Sequence, residues 1–372
     1  MNMRCLSLFL VFAVSGSASG SGFLDRFVDP LDGRFDVSEW IESRTGFLPV
    51  PILITEPAVG YGGGLALAFF HGPLASGEGA KSPSVSAVAF GGTENGTWFL
   101  GGGHLGIWRE DRIRYLGGVG LASANLDYYG NGGAFSPQPV RFNTEAFGLM
   151  QEIMFRLGET RFFAGVGYRL VDTRNRFHRA GYGEIPGIPE LDFDSRSAGL
   201  SLILNYDSRD NLFTPSHGLD LEIELGDYGR IWGGDDEFRK YGGHLKYYRP
   251  LGRRWTLGLR LDVDAVDGKA PFYEYPYLEM RGVKVLRYQG RRAALAEAEL
   301  RWRFHPRWFL VGFGGAGRTW SEGGRGSGTI GTQGIGFRYL IARRLGLQMG
   351  IDVARGPEEI AFYIQVGSAW LR

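Results

Sequence analysis

"NYDSRDNLFTPSHGLDLEIEL", residues 205–225, changes character halfway along. The first part is a polar turn, Asp207-Ser208-Arg209-Asp210-Asn211, closed by Pro215 and Gly218. The second part alternates without a break, Leu219, Leu221, Ile223 and Leu225 against Asp220, Glu222 and Glu224. Period two is the mark of a β-strand, because successive side chains of a strand point to opposite faces. Here one face is hydrocarbon and the other carboxylate, so the two faces meet different surroundings.

The same division recurs from about residue 49 to the end. Arg196, Ala198, Leu200, Leu202, Leu204 and Tyr206 oppose Ser195, Ser197, Gly199, Ser201 and Asn205, with Ile203 out of place. Trp255, Leu257, Leu259, Leu261 and Val263 oppose Arg260, Asp262 and Asp264. Ala294 to Phe304, at even positions, oppose Glu297, Glu299, Arg301 and Arg303. Near the end, Ile360, Phe362, Ile364, Val366 and Trp370 oppose Glu359, Tyr363 and Gln365.

An antiparallel sheet in water also alternates. Three features point instead to a membrane. Arg4, the apolar run Leu6–Val14 and the small residues Ser15–Ser19 form a secretory signal peptide, cleaved after Ala18. The strands run to about ten to fifteen residues, where strands in water have about five or six. Trp98, Trp108, Tyr128, Tyr129, Trp255, Trp308, Trp320 and Trp370 gather near segment ends, as interfacial girdles do. Backbone groups in hydrocarbon must all be paired, so an exported chain of strands closes on itself. The expected fold is all-β, a transmembrane antiparallel barrel of about sixteen strands, its apolar face toward lipid and its charged face toward the lumen. An even count places both ends in the periplasm. Short turns at 108–112, 157–160, 304–307 and 342–345 then lie on the periplasmic side, and longer loops at 124–140, 174–192 and 267–291 lie outside.

Residues 1–18 are thus expected to be the signal peptide, 19–48 a short periplasmic segment and 49–372 the barrel. The segment carries a predicted helix near 37–43, started by Asp36 or Ser38. Cys5, the single cysteine, lies in the signal, which leaves the mature chain no disulfide and no cysteine chemistry. Sixty glycines and 14% aromatic residues, without a collagen period, fit many short turns between strands. The net charge of +1 offers no basic surface to nucleic acid.

Four elements resemble the BamA/TamA-type outer-membrane assembly barrels, the bacterial surface antigen superfamily. Asp207-x-Arg209-Asp210 with Pro215 and Gly218 is similar to that family's turn after the eighth strand. Met280-Arg281-Gly282-Val283 is similar to its V/I-R-G-F/Y loop motif, although Val283 replaces the aromatic residue. "GIGFRYLIARRLGLQMGIDVA" and "FYIQVGSAW" resemble its closing strands, and "ILITEPAVGYGGGLALAFF" its first hairpin. The resemblance covers about residues 46–372. It implies that the loop 267–291 folds into the lumen, with Arg281 and Gly282 against the wall. Glu299 is the first expected partner of Arg281 and Glu297 the second, with Asp262 and Asp264 turned inward beside them. The family usually carries POTRA domains ahead of the barrel. Residues 19–48 are too short for one, so a barrel-only member is expected.

The resemblance also implies a role in inserting or translocating protein or lipid, through a seam between the first and last strands. Pro49, Pro51 and Pro57 cannot donate to a ladder there; they either weaken the seam or mark strand limits. Pro51 and Ile54 on one strand and Val366 and Trp370 on the other are the expected seam residues. Expected partners are outer-membrane lipid, a client polypeptide or lipid, and a separate periplasmic accessory protein.

A passive or plugged pore is the rival reading, and a lipid-modifying enzyme a more distant one. No G-x-S-x-G elbow is present, no serine neighbours His104 or His244 in an evident motif, and no zinc or phosphate-loop pattern appears. No enzyme activity, metal or cofactor is expected.

Overall fold

The computed structural model describes residues 27–39, 46–71, 84–129, 139–177, 192–321 and 328–370. The expected signal peptide lies outside them. So does most of the expected helix at 37–43, of which Ser38 and Glu39 are helical. Asp36 Oδ1 accepts the Ser38 N–H at 2.7 Å at its start.

The chain forms β1 (Gly46–Ile54), β2 (Gly62–His71), β3 (Ser84–Thr93), β4 (Trp98–Trp108), β5 (Ile113–Tyr128) and β6 (Val140–Arg156). It continues with β7 (Phe162–Phe177), β8 (Asp192–Asp207), β9 (Gly218–Tyr228), β10 (Phe238–Leu251) and β11 (Trp255–Gly268). It ends with β12 (Arg292–His305), β13 (Trp308–Trp320), β14 (Gly328–Ala342), β15 (Leu347–Arg355) and β16 (Ile360–Val366). These sixteen strands pair in sequence order, β1 to β16, into one antiparallel sheet that curls into a nearly closed barrel. We call the end where β1 starts and β16 stops proximal, and the opposite end distal.

Burial runs opposite to that of a protein folded in water. Leu202 is 60% exposed, while Asn205 on the same strand is 5% exposed. Leu259, Leu261, Leu300 and Val263 are exposed, while Arg260, Asp262, Glu297, Glu299 and Arg301 are buried. Register explains the pattern: Arg260 pairs with Glu297 and Leu261 with Ala296, so each row keeps one chemistry across strands. Trp98, Trp108, Trp255 and Trp320 stay outside as girdle residues. Tyr128 does not. It is 2% exposed, packed in the lumen on Phe142, Phe177 and Phe272.

Two loops are shorter than the sequence reading placed them, because ladders extend past the apolar rows. Tyr128 still pairs with Val140, and β7 runs to Phe177. Trp370 also departs from its expected place. Gly367, at φ +78°, turns the chain off the sheet after Val366, and its N–H donates to Gln348 O at 2.7 Å. Trp370 then lies 3% exposed in the lumen, its ring 6.0 Å from Tyr248. A tryptophan three residues past a left-handed glycine no longer follows the strand's alternation.

Candidate functional site

Three structures fill or border the lumen. The first is the long loop between β11 and β12. Leu278, Met280, Val283 and Tyr288 pack on Ala293 and Leu295 of β12 and Ile330 of β14, all on the inner face. This apolar contact carries Arg281 to the wall. Arg281 Nη1 lies 2.9 Å from Asp352 Oδ2, and Nη2 lies 3.0 Å from Glu299 Oε2. The Glu299 approach is off the hydrogen-bond direction, which leaves Asp352 as the directional partner. The guanidinium also lies 3.4 Å from the centre of the Phe313 ring. Asp352 accepts two further bonds, from Arg338 Nη1 at 2.6 Å and Nη2 at 2.8 Å. Glu297, the second expected partner, belongs to Arg260 at 2.8 Å, and Asp262 to the same arginine at 2.5 Å. Asp264 lies 3.5 Å from His244.

Gly282 makes this approach feasible. Its φ is +88°, its N–H donates to Tyr363 Oη at 2.9 Å, and a Cβ there would meet Gly356 N at 2.8 Å. Gly282→Ala is therefore expected to destabilise the barrel by about 1–3 kcal/mol through strain and displacement of the loop. Denaturant titration in lipid vesicles would measure it; a neutral result would mean that the loop does not rest on the β15–β16 turn.

The second structure is the turn between β8 and β9. Asp207 binds Arg209 at 2.9 Å and Arg114 at 3.0 Å, and Arg209 reaches Asp220 at 3.1 Å. Asp210 Oδ1 accepts the Ser216 and His217 N–H groups. Pro215 O accepts from Arg301, and Gly218 takes φ +111°. Asn211 Nδ2 donates to Leu345 O, and Phe213 O accepts from the Ser368 N–H. The turn therefore lies across the proximal mouth, tied to β12, the β14–β15 turn and the carboxyl end.

The third is the join of β1 and β16. Among the described residues no ladder connects them. Pro49 and Pro51 sit at alternate positions, so their nitrogens face the same edge. The ladder with β2 runs unbroken through both, from Gly46↔Phe70 to Ile54↔Gly62. Their missing donors thus fall on the edge toward β16. Ile54 and Val366, two of the expected seam residues, lie at opposite ends of the gap. β1 ends distally at Ile54, whereas β16 starts distally at Ile360 and ends proximally at Val366, so Leu53 and Ile360 both belong to the distal ends of their strands.

A cluster absent from the sequence reading anchors the amino-terminal segment. Arg307, in the β12–β13 turn and 1% exposed, binds Asp29 at 2.5 Å, Asp32 at 2.5 Å and Asp36 at 2.6 Å. Arg343 holds Asp29 from the next proximal turn. Phe27 and Val37 pack on Ile341 and Ala342. Three aspartates at spacings of three and four were the available signal. Asp352 left a fainter one, a carboxylate on an otherwise uncharged inward row.

A barrel with lipid-facing apolar rows, a loop bound inside its lumen and a join without a ladder defines a class of outer-membrane protein. The family model described as the Omp85 superfamily domain matches residues 129–357, more than half of the chain, and the chain belongs to that superfamily. Solved structures agree in fold. BamA from Haemophilus ducreyi lacking POTRA domains 1–3 matches with TM-score 0.60 and 12% identity over 87% of this chain and 70% of that one. CdiB from Escherichia coli matches with TM-score 0.61 and 11% identity, over 87% and 63%. CdiB from Acinetobacter baumannii matches with TM-score 0.55 and 10% identity, over 86% and 59%. The chain thus spans less than two thirds of either CdiB chain. No curated protein matches the chain in sequence. The protein resides in the outer membrane.

Proposed function

We propose that this barrel assists the insertion or translocation of protein or lipid at the outer membrane, through the gap between β1 and β16. The observation that carries the reading is the proline pair on the β1 edge. A closed barrel leaves no backbone group without a partner in hydrocarbon, where each such group costs several kcal/mol. Pro49 and Pro51 remove two donors from that edge, so separating the strands there breaks fewer bonds than anywhere else in the wall. Client polypeptide, client lipid and a separate periplasmic accessory protein are the partners this reading calls for. No catalytic step is part of it.

Cysteines at Leu53 and Ile360, joined by a short bifunctional thiol reagent, are expected to lock the gap at its distal end. The locked protein should fold and migrate like the parent yet lose its activity in a strain that depends on it. Full activity of the locked form would exclude lateral opening. It would favour the second reading, a plugged pore, which rests on the β11–β12 loop filling the lumen. In that case deleting residues 276–289 should raise conductance while the gap stays irrelevant.

A further inference from the structure

His71 on β2, Ser86 on β3 and His104 on β4 form a polar triad on the lipid-facing side of the wall. Ser86 Oγ lies 2.7 Å from His71 Nε2 and 2.9 Å from His104 Nδ1. Register puts Ser86 opposite Phe69 and His104, on the same rows as the exposed Val88, Phe90 and Leu100. The serine neighbour of His104 was invisible in sequence, because the pairing joins residues eighteen apart across a hairpin. His71 is the last residue of β2, so the triad lies at the proximal end of the wall, beside the girdle residue Trp108.

The setting is built. Trp108 stacks on His104 at 6.0 Å and on Tyr115 at 5.5 Å, and Tyr115 Oη donates to Gln151 Oε1. Gly106 and Gly117 make room for this. A Cβ on Gly106 would meet the Trp108 ring at 2.5 Å, and one on Gly117 would meet the Tyr115 hydroxyl. The rings therefore lie flat along the wall as a shelf beside the imidazoles.

Proton counting shows what the triad can do. The hydroxyl has one hydrogen and gives it to one ring, so the other ring must donate its own N–H to Ser86 Oγ. The outward nitrogens, His71 Nδ1 and His104 Nε2, are then one donor and one lone pair. One added proton makes both of them donors and gives the triad a positive charge. Around it, the outward rows of β3, β5 and β6 offer Ser84, Ile113, Tyr115, Gln151, Ile153 and Phe155; the charged residues of these rows, Asp127, Arg141 and Glu145, lie at the distal end. In the neighbouring β4–β5 turn, Asp111 is held by Arg114 and Arg156, and Arg112 by Glu159. Arg109 and Glu110 are the other charged residues of that turn.

We propose that His71, Ser86 and His104 bind the phosphate of a phospholipid headgroup in the periplasmic leaflet, two strands from the β1 edge. The two outward N–H groups match phosphate oxygens, while the Ser86 hydroxyl holds the two rings together, and charge assistance strengthens each bond. The aromatic shelf takes the adjoining glycerol and upper acyl chain.

The test uses the whole barrel in detergent with phosphatidylglycerol, its retention read by native mass spectrometry. Wild type should hold the lipid about tenfold more tightly near pH 5.5 than near pH 8, across the range in which histidine charges. His104→Phe, which keeps the stack on Trp108, and His71→Gln should each remove that pH dependence. Heat-modifiable migration on gels checks that both variants are folded. Retention that is equal at the two pH values, or unchanged in both variants, overturns the proposal. Equal retention of diacylglycerol would show an apolar contact and overturn it as well. Inorganic phosphate binding as tightly as the lipid would overturn the lipid assignment.

Discussion

Asp352→Ala is expected to cost the folded barrel more than any other single substitution in the lumen. Its carboxylate is fully buried and serves two guanidiniums, Arg281 from the loop and Arg338 from β14. Removing one member of a buried pair costs roughly 3–5 kcal/mol, because the partner's charge stays behind without compensation. Here two charges stay behind, so the upper end of that range applies. Glu299 cannot take over, since its approach to Arg281 is off the hydrogen-bond direction. Asp352→Asn keeps an acceptor and should fall between the two. The double variant Arg281→Met with Asp352→Ala should cost far less than the sum of its parts, since the pair is then absent rather than broken. Urea unfolding in vesicles, followed by tryptophan fluorescence, gives the cycle. Additive effects below about 1 kcal/mol, the size seen for exposed pairs, would place Arg281 outside the wall network.

Arg307→Ala should release the amino-terminal segment while leaving the sheet intact. Three aspartates converge on that guanidinium, and Asp29 and Asp36 are buried around it. The loss is again roughly 3–5 kcal/mol, confined here to the docking of residues 27–39. Limited proteolysis should then cut within this segment in the variant but not in the parent. Acid should act in the same direction. The Arg343 hydrogen bond, with Arg307 nearby, lowers the Asp29 carboxyl from 3.8 to about 2, and the Arg307 hydrogen bonds lower Asp32. A depressed carboxyl contributes stability that is complete above its unfolded value and is lost as pH falls through the folded one. Docking should therefore hold above pH 3.8 and weaken between there and about 2. Cleavage that does not change over that interval, or in Arg307→Ala, would mean that the segment is held by Phe27 and Val37 alone.

The barrel was legible because lipid on one side and a charged lumen on the other impose the same period-two code on every strand. Leu257, Leu259 and Leu261 against Arg260 and Asp262 state that code without ambiguity. What the code cannot carry is position across strands. Glu299 could be named as a partner for Arg281 because both lie near the loop in sequence. Asp352 could not, since the two are 71 residues apart and meet only when the wall closes. His71, Ser86 and His104 share this difficulty, as register alone brings them together. Trp370 misled for a local reason, the left-handed turn at Gly367 that ends the alternation.

The docked amino-terminal segment sets a length on the doorway it lies beneath. Residues up to Glu39 are held by the turns of β12–β15, on one side of the gap, and the chain enters β1 at Gly46 on the other. Seven Cα steps join them, a leash of at most roughly 25 Å when taut. Strands lie about 4.8 Å apart in a sheet, so that reach admits a hairpin or a few strands at the proximal side. Under the proposed lateral opening, a wider cargo would require Arg307 to let go first.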